Sequence, residues 1–300
     1  MSILVVGMIC YDVVNTCERL PYEDEEMRCV GQREQQGGNA ANSSYVLGLL
    51  NASCEFYGAI GKGPRTEFVL KRLDRVGVAH HHCVCYANKT IPNSNIMLSL
   101  ATGSRTTVHY RDKGFPELTF NDFKQLDLSP YKWIHFETRG DESDLLKMVQ
   151  RIIEYNLSQD RKITISLEFE KYRETVLEFM PLADVLLVGK LFASHLGYKT
   201  ADEAVTQLRN RAKENALIFC AWGELGASAS GPDGEVLHVD AYTPGPVIDT
   251  LGAGDTFNAA VIHSLSRGDT WKDAIKFACH VAGTKCCSPG YDQVKSFASH

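Results

Sequence analysis

Short apolar runs alternate with amphipathic stretches along most of the chain. The apolar runs are continuous, which is typical of parallel strands buried on both faces, and they cover residues 3–7, 54–60, 133–137, 163–167, 185–188 and 217–221. The stretches between them carry apolar residues at helical spacing, over residues 39–50, 66–76, 142–155, 172–180 and 201–213. This alternation predicts an α/β fold whose mostly parallel sheet is covered by helices on both faces.

Two regions interrupt the alternation and predict a second, smaller sheet. Residues 11–14 and 27–33 flank an acidic turn at 21–26, and residues 95–100 and 106–110 flank a turn that contains Gly103. Each region has the pattern of a pair of extended segments joined by a turn. We expect segments of about 11–34 and 92–112 to form a four-stranded sheet inserted into one domain of residues 1–300. Its buried face would cover a substrate cleft or a second copy of the chain; ordinary surface hairpins are the alternative.

Charge and composition exclude several classes of protein. The 300 residues carry 31 Lys and Arg against 37 Asp and Glu, a formal charge of −6. A mildly acidic chain without clustered cations argues against nucleic-acid binding. The apolar run at 3–7 has no basic residues before it and turns polar by Tyr11 and Asp12. It therefore predicts a buried strand, and neither a signal peptide nor a membrane span.

The cysteines predict free thiols in a reducing cytoplasm. Four of the ten lie in apolar patterns, where a thiol acts as a small hydrophobic group: Cys10, Cys54, Cys220 and Cys279. A chain of this length does not need disulfides for stability. The other cysteines lack zinc-site spacing. The histidine run at 80–82, next to Cys83, is interpreted as a solvated loop, with a metal site as the alternative.

The segment 247–258, Val-Ile-Asp-Thr-Leu-Gly-Ala-Gly-Asp-Thr-Phe-Asn, carries the strongest functional signal. Beyond the two glycines, apolar residues recur at four-residue spacing, at Phe257, Val261 and Leu265. This spacing predicts a helix that starts at the glycines. Glycines allow a ligand to approach the backbone closely, and the first amides of a helix attract anions. A carboxylate in that first turn, Asp255, would repel a bound phosphate unless it accepts a proton. Its alternative role is to stabilise the helix start.

Polar residues near the N-terminus predict a binding site for a polyol. Asp12 follows the first predicted strand, and ligands of open α/β sheets bind beyond the carboxyl ends of strands. The sequence Gly37-Gly38 precedes a predicted helix, on which Asn39 and Asn42 lie three residues apart and share one face. Each amide side chain offers donors and an acceptor for hydroxyl groups. A turn aspartate and an asparagine cap are the structural alternatives.

At these motifs the chain resembles the ribokinase-like (PfkB) family of carbohydrate kinases. The Gly-Gly-Asn motif at 37–42 and the complete motif Asp-Thr-X-Gly-Ala-Gly-Asp-Thr-Phe at 249–257 carry the resemblance, which spans almost the whole chain. It is strongest to the family members that phosphorylate fructose at its 1-hydroxyl. Further segments carry that closer resemblance: 28–29, 32–33, 103–106, 132–135, 220–222, 231–234 and 281–283.

The resemblance implies a ribokinase-like three-layer α/β sandwich with a small β-sheet lid, and transfer of the ATP γ-phosphoryl group to the 1-hydroxyl of D-fructose. Asp255 would accept the hydroxyl proton; its reference pKa of about 3.9 predicts that it is ionised at neutral pH. Phosphoryl charge would be stabilised by Arg105 and by the amides of Gly252, Ala253 and Gly254. The residues implied to bind the sugar are Asp12, Gly38, Asn39 and Asn42.

The resemblance also implies a nucleotide site and a dimer. The loop Gly223, Glu224, Leu225 and Gly226 would line ATP, with Cys279 near the adenine and Lys190 as a weaker phosphate-side candidate. ATP would arrive with Mg²⁺, and a K⁺ activator would lie near Asp249, although the loop 284–290 departs from the family pattern. A homodimer would form through the lids, so that Asp24 reaches the sugar of the other subunit.

Several alternatives remain open at this point. Another kinase of the same family would act on ribose, on adenosine or on the 6-position of fructose. Arg105 is alternatively a solvated arginine. Glu224 and Lys190 are alternatively part of a charged surface, and Cys279 is alternatively a residue of the core. A nicotinamide oxidoreductase and a P-loop nucleotidase are excluded, because the first strand lacks a following G-x-G-x-x-G and no G-x-x-x-x-G-K-[ST] occurs.

Overall fold

A computed structural model describes residues 1–298 of the chain. Its strands, in chain order, are β1 (Ser2–Val6), β2 (Cys10–Cys17), β3 (Gly31–Gly37), β4 (Cys54–Tyr57), β5 (Ala59–Gly61), β6 (Val84–Tyr86), β7 (Asn93–Ser99), β8 (Arg105–Tyr110), β9 (Tyr131–Glu137), β10 (Thr164–Phe169), β11 (Val185–Gly189), β12 (Leu217–Ala221), β13 (Ala227–Ser230) and β14 (Val236–Val239). The α-helices are α1 (Asn39–Leu49), α2 (Pro64–Asp74), α3 (Phe120–Phe123), α4 (Glu142–Leu157), α5 (Lys190–His195), α6 (Ala201–Leu208), α7 (Ala253–Arg267) and α8 (Trp271–Cys286).

The main sheet has eight strands in the order β14-β13-β12-β11-β10-β9-β1-β4. The six neighbouring strands β4, β1, β9, β10, β11 and β12 are parallel, whereas β13 is antiparallel to both of its neighbours, β12 and β14. Successive residues of β1 enter different cores, with Val5 against the helices α1, α2, α7 and α8 and Leu4 against α4, α5 and α6. Both side chains are fully buried, as expected when helices cover both faces of a sheet. The three-layer, mostly parallel α/β prediction is confirmed.

The smaller sheet has four strands in the order β3-β2-β7-β8. Its two outer pairs are antiparallel, while β2 and β7 in the centre are parallel. The apolar side chains of Val14, Ile96 and Leu98 form a small cluster with Leu251, which belongs to the glycine motif of the main body. The second sheet is therefore present as predicted, and one of its faces lies on the segment that leads into α7.

Three expected elements differ from the structure. The apolar run at 54–60 is split, because β4 pairs with β1 in the main sheet whereas β5 pairs with β6 in a separate two-stranded sheet. The expected helix at 172–180 is a 3₁₀ segment, Glu174–Leu182, that contains Pro181. The expected helix at 201–213 ends at Leu208 and continues as a short 3₁₀ turn.

Two further findings bear on the sequence predictions. All ten cysteines are free, as predicted. Among residues 1–298, no helix is long and apolar enough to cross a membrane.

Candidate active site

The start of α7 provides an anion-binding position. Gly252 lies before the helix in the left-handed conformation (φ 75°), which glycine adopts without strain. A Cβ at this position would also lie 2.8 Å from the phenol carbon of Tyr291. Gly254 is exposed and has open space where a side chain would project. The amide of Ala253 donates to the carbonyl of Thr250 at 3.2 Å, so the open approach to this helix start is at Gly254.

Asp255 is buried one residue further along α7. The Nδ2 of Asn42 on α1 donates to its Oδ2 at 2.7 Å. Burial, together with the charges of Glu170 and Glu137, raises the pKa of Asp255 to about 7, although the bond from Asn42 and the charge of Arg139 oppose the shift. The sequence-based expectation of a carboxylate with its reference pKa is therefore wrong, because it took no account of the buried acidic neighbours.

Three glutamates that the sequence analysis did not identify as site residues surround Asp255. Glu137 and Glu168 are direct neighbours in register at the carboxyl ends of β9 and β10, and Glu170 follows one residue after β10. Asn39 Nδ2 donates to Glu168 and to Glu170, at 3.0 Å in each case. Asn39 thus ties the start of α1 to the end of β10.

The glutamates are held by backbone amides, side-chain amides and one arginine. Glu137 accepts bonds from the amides of Met8 and Ala40 at 3.1 and 3.3 Å. Arg139 pairs with Glu137 at 2.6 Å and with Glu170 at 2.5 Å. Asn258 on α7 donates to Glu168 Oε1 at 3.1 Å. The second oxygen of Glu168, Oε2, is buried and has no partner among the described residues.

The cluster carries more carboxylates than cations, and this imbalance perturbs proton affinities. Burial raises the pKa of Glu168 well above its ordinary value, and the charges of Asp255, Glu137 and Glu170 add to the effect. Burial likewise raises the pKa of Glu137, against the charge of Arg139. A buried group of this kind favours a proton or a bound cation, and perturbed carboxyl groups of this type mark functional sites.

Asp12 lies on β2 beside Gly37, which precedes the start of α1. It is buried, and burial raises its pKa, while hydrogen bonds from Ser94 and Cys10 lower it. A Cβ at Gly37 would overlap the Asp12 carboxylate, and Gly38 has a positive φ of 88°. The paired glycines are therefore required for the close approach of the Asp12 carboxylate and for the turn into α1. One oxygen of Asp12 has no protein partner among the described residues, so it is available to a ligand.

A cavity of about 250 Å³ borders the cluster. Glu137 and Arg139 contribute to its wall, together with His109 and Arg111 of the smaller sheet and its continuation. His109 Nδ1 lies 3.2 Å from Ser94 Oγ, which in turn lies 3.5 Å from Cys10 Sγ. The wall of this cavity is thus connected to the surroundings of Asp12 by a short chain of polar contacts.

The smaller sheet is fastened to the glycine motif at its two outer strands. Arg33 on β3 donates to Asp249 at 2.7 Å, and Arg105 on β8 donates to Thr250 Oγ1 at 3.1 Å. With Leu251 in the apolar cluster described above, three successive residues of the motif contact the sheet. Arg105 is exposed, as expected for a side chain that would face a ligand.

Asp249 lies in a buried network of its own. Lys285 is fully buried, and its Nζ lies 2.8 Å from the carbonyl and 3.3 Å from the carboxylate of Asp249. The amides of Leu251 and Gly290 donate to the same carboxylate at 3.0 and 2.9 Å. Together with Arg33, these donors satisfy both carboxylate oxygens and neutralise the charge.

The residues expected at the nucleotide lie at another part of the sheet edge. The turn 223–226 follows β12 and is exposed at Gly223, Glu224 and Leu225, whereas Gly226 is buried. Glu224 pairs with Lys190 at 3.1 Å. Cys279 is buried on α8 and its thiol donates to the carbonyl of Val239 at 3.9 Å. No hydrogen bond in the described part of the chain joins these groups to Asp255.

Asp24 does not join the site within one chain. It is exposed in the acidic turn between β2 and β3, in the left-handed conformation (φ 61°). Its neighbour Glu25 pairs with Arg19 within the same turn. The turn is therefore held together locally, with the Asp24 side chain free to face solvent or a second copy of the chain.

This geometry defines a phosphotransferase. Asp255 is buried in the first turn of α7, next to the open space at Gly254, and Asn42 on α1 donates a hydrogen bond to it. The model of the pfkB family of carbohydrate kinases matches residues 1–295, and the chain belongs to this family.

Known relatives agree with that assignment. The chain is 42% identical to ketohexokinase from Mus musculus over 295 residues, which cover 98% of each chain. It is 27% identical to ribokinase from Bacillus subtilis (strain 168), with 96% of this chain and 94% of the ribokinase covered. The crystal structure of a putative ribokinase from Agrobacterium tumefaciens superposes with a TM-score of 0.84 at 17% identity, over 99% and 96% of the two chains. The ribokinase-like fold is confirmed.

Proposed function

We propose that this carbohydrate kinase transfers the γ-phosphoryl group of ATP to the 1-hydroxyl of D-fructose and releases fructose 1-phosphate and ADP. The similarity to the mouse ketohexokinase supports a ketohexose as the acceptor. The observation that carries the proposal is the bond of 2.7 Å between Asn42 and Asp255. It joins the polyol-binding side of the site to the phosphate-binding side at one carboxylate.

Asp255 takes the role of proton acceptor. The sugar hydroxyl loses its proton to Asp255 while its oxygen forms a bond to the γ-phosphorus, and the bond from that phosphorus to the bridging oxygen of ADP breaks. Asn42 stabilises the ionised form of Asp255 before the reaction. A carboxyl group with a pKa of about 7 is better matched to this transfer at neutral pH than an ordinary aspartate.

The sugar hydroxyls are recognised by the groups on the other side of Asp255. Asp12 offers its unpartnered oxygen, Asn42 offers its own unpartnered carbonyl oxygen, and Gly38 allows close approach. Asn39 also serves here, held by Glu168 and Glu170. These groups accept and donate hydrogen bonds in the way that several neighbouring hydroxyls require.

The phosphate side consists of the helix start and the exposed arginine. The amides around Gly252, Ala253 and Gly254 with the positive end of α7 stabilise charge on the transferring group. Arg105 leaves Thr250 and binds the phosphates in bidentate fashion. The turn of Gly223, Glu224, Leu225 and Gly226 lines the nucleotide, and Cys279 lies towards the adenine.

ATP is bound with Mg²⁺. The donors present fit this ion, because the buried Glu168 has an oxygen without a partner among the described residues and Mg²⁺ prefers carboxylate and water oxygens. Glu168 and Glu170 would hold the ion or its waters. When bound, Mg²⁺ neutralises charge on the phosphate oxygens.

The residues at Asp249 do not fit a potassium ion held by its carboxylate. Lys285 and Arg33 already supply two positive charges to Asp249, and backbone amides complete its hydrogen bonds. A further cation beside them would be repelled. We derive no step of the reaction from potassium at this position.

The smaller sheet serves as the lid and as the dimer interface. Its edge strand β8 is exposed along its whole length, and five large side chains of the sheet and its turns are half-exposed or more: Tyr22, Val30, Leu100, Val108 and Tyr110. An unpaired edge with apolar residues favours pairing with a second copy. The exposed Asp24 would then face the sugar of the partner. Light scattering on the wild type and on a Val108→Asp variant tests this interface: a dimer that dissociates in the variant supports it, and a wild-type monomer refutes it.

Product analysis tests the proposed reaction. Initial rates of ADP release are measured with fructose, 1-deoxyfructose, ribose and adenosine, and the position of the phosphate on the product is assigned by NMR. Turnover of fructose to the 1-phosphate, with none of 1-deoxyfructose, is the expected result. Preference for ribose or adenosine, or a phosphate on the 6-position, would assign the chain to another member of the family.

A further inference from the structure

A buried carboxylate without a lysine or arginine ion pair among the described residues lies on β4, the last strand of the main sheet. Glu55 is 5% exposed, and its ion pairs in the described part of the chain are formed with histidines alone. The hydroxyl of Tyr131 donates to Glu55 Oε2 at 2.7 Å, which leaves Oε1 for the neighbouring histidines. Burying a carboxylate is costly unless a cation or several donors compensate its charge.

Two adjacent histidines lie over that free oxygen. His82 Nδ1 is 2.7 Å from Glu55 Oε1, and His81 Nε2 is 3.7 Å from it. One ligand atom from each of the three residues lies within 4.8 Å of the other two. Nitrogen and oxygen ligands of a four-coordinate metal lie about 2.0–2.2 Å from the ion. Small movements of the three side chains would bring their ligand atoms to this distance from one shared ion.

The backbone holds both histidines in place. The carbonyl of His80 accepts a bond from the amide of Cys83 at 3.2 Å, so His81 and His82 are the central residues of a tight turn. Before the turn, Ala79 pairs with β4 through bonds of 2.8 and 3.0 Å to Phe56 and Cys54. After it, the thiol of Cys83 donates to the carbonyl of Phe56 at 3.5 Å. The two ends of the turn are thus fixed to the strand that carries Glu55.

We propose that Glu55, His81 and His82 form a binding site for a divalent transition metal of the zinc class, separate from the active site. Two imidazoles and one carboxylate suit Zn²⁺, whereas Mg²⁺ and Ca²⁺ prefer oxygen ligands. Water completes the four-coordinate shell, because both histidines face solvent. Tyr131 orients the carboxylate in the manner of an outer-shell partner.

The ion stabilises the edge of the main sheet. It fastens the turn between α2 and β6 to β4, where the sheet order ends. The proposal takes up the metal-site alternative for the histidine run, which the sequence analysis set beside a solvated loop. None of the three residues contacts the Asp255 cluster, so we expect metal binding to change stability and leave turnover intact.

Zinc titration of the metal-free full chain tests the site. Isothermal titration with Zn²⁺ is expected to give one site per chain that weakens in His81→Ala and in His82→Ala by at least about 10–100-fold, the range typical of losing even an outer-shell partner. Both histidines are exposed, so these variants should fold. His80→Ala is the matched control: it removes a histidine of the same run that pairs with Asp74 and lies outside the ligand set, and it should bind zinc as the wild type does.

Two further measurements separate this site from adventitious binding. Co²⁺ should give the visible absorption of a four-coordinate ion in the wild type and in His80→Ala, but not in Glu55→Gln. Zn²⁺ should raise the unfolding temperature of the wild type and not that of the double variant His81→Ala/His82→Ala, while both turn over substrate with Mg²⁺ at equal rates. A wild type without this zinc site, or zinc affinity unchanged in all three ligand variants, would overturn the proposal.

Discussion

Replacing Asp255 by Asn should lower turnover by orders of magnitude and at the same time stabilise the fold at alkaline pH. Loss of a general base costs about 10²–10⁴-fold in rate. The stability effect follows from the pKa of Asp255, which burial raises to about 7. Asparagine has the shape of a protonated aspartate, so the variant keeps the packing but never carries the buried negative charge.

The sign follows from proton linkage. Because the folded pKa of Asp255 lies above its unfolded value, the folded protein binds this proton more tightly between about pH 4 and pH 7. The wild type therefore loses stability as pH rises through this window, and the full cost remains above pH 7. A pKa raised to about 7 corresponds to a cost of about 4 kcal/mol on the ionised form, an upper bound for a carboxylate that shares its charge with Glu168.

Denaturant unfolding at pH 5 and pH 8.5 measures this effect. The free energy of unfolding of Asp255→Asn should exceed that of the wild type at pH 8.5 by about 2–4 kcal/mol, and the difference should shrink at pH 5. Asp240→Asn is the control, because the Asp240 side chain is fully exposed and its replacement should change neither property. Equal stabilities of Asp255→Asn and wild type at both pH values would refute the argument from burial, and unchanged turnover would refute the proton-acceptor role.

Three other substitutions probe separate parts of the site. Gly37→Ala places a methyl group on the Asp12 carboxylate, so the KM for sugar should rise at least about tenfold with the KM for ATP unchanged; steady-state kinetics would decide, and an equal rise in both would contradict it. Arg105→Ala should lower kcat by about 10²-fold without lowering the unfolding temperature, since Arg105 is exposed; an unaltered kcat would remove it from the reaction. Lys285→Met breaks the buried pair with Asp249 and should cost about 3–5 kcal/mol of unfolding free energy, measured in urea; a neutral result would contradict the charge network.

The sequence predicts the main architecture because its parallel strands are mostly apolar, without the alternation of a half-exposed strand. Runs such as 133–137 and 185–188 are buried on both faces, so composition alone marks them. The antiparallel strands β13 and β14 were not predicted, since their sequences Ala-Ser-Ala-Ser and Val-Leu-His-Val lack a strong pattern. Their pairing is set by tertiary contacts, which a local pattern does not record.

The candidate site divides in the same way. Asp255, Asn42 and Gly38 lie in recognisable motifs around helix starts, so sequence spacing locates them. Glu137 and Glu168 end two apolar strands, and only the parallel register of β9 and β10 sets them side by side. A charged residue at the end of a continuous apolar run was the available signal. The expected pKa of Asp255 was wrong because the shift comes first from burial and then from the charges of Glu170 and Glu137, none of which the local sequence records.

The attachment of the smaller sheet to the glycine motif bears on whether ATP is hydrolysed when no sugar is bound. Arg33 donates to Asp249, and Arg105 donates to Thr250. Leu251 packs in the apolar cluster of the smaller sheet. Lifting the sheet to admit a sugar would pull on the same turn, which we propose binds the triphosphate. In the open enzyme the bound nucleotide would therefore lack these phosphate contacts. Water that enters the empty sugar site would then not hydrolyse ATP.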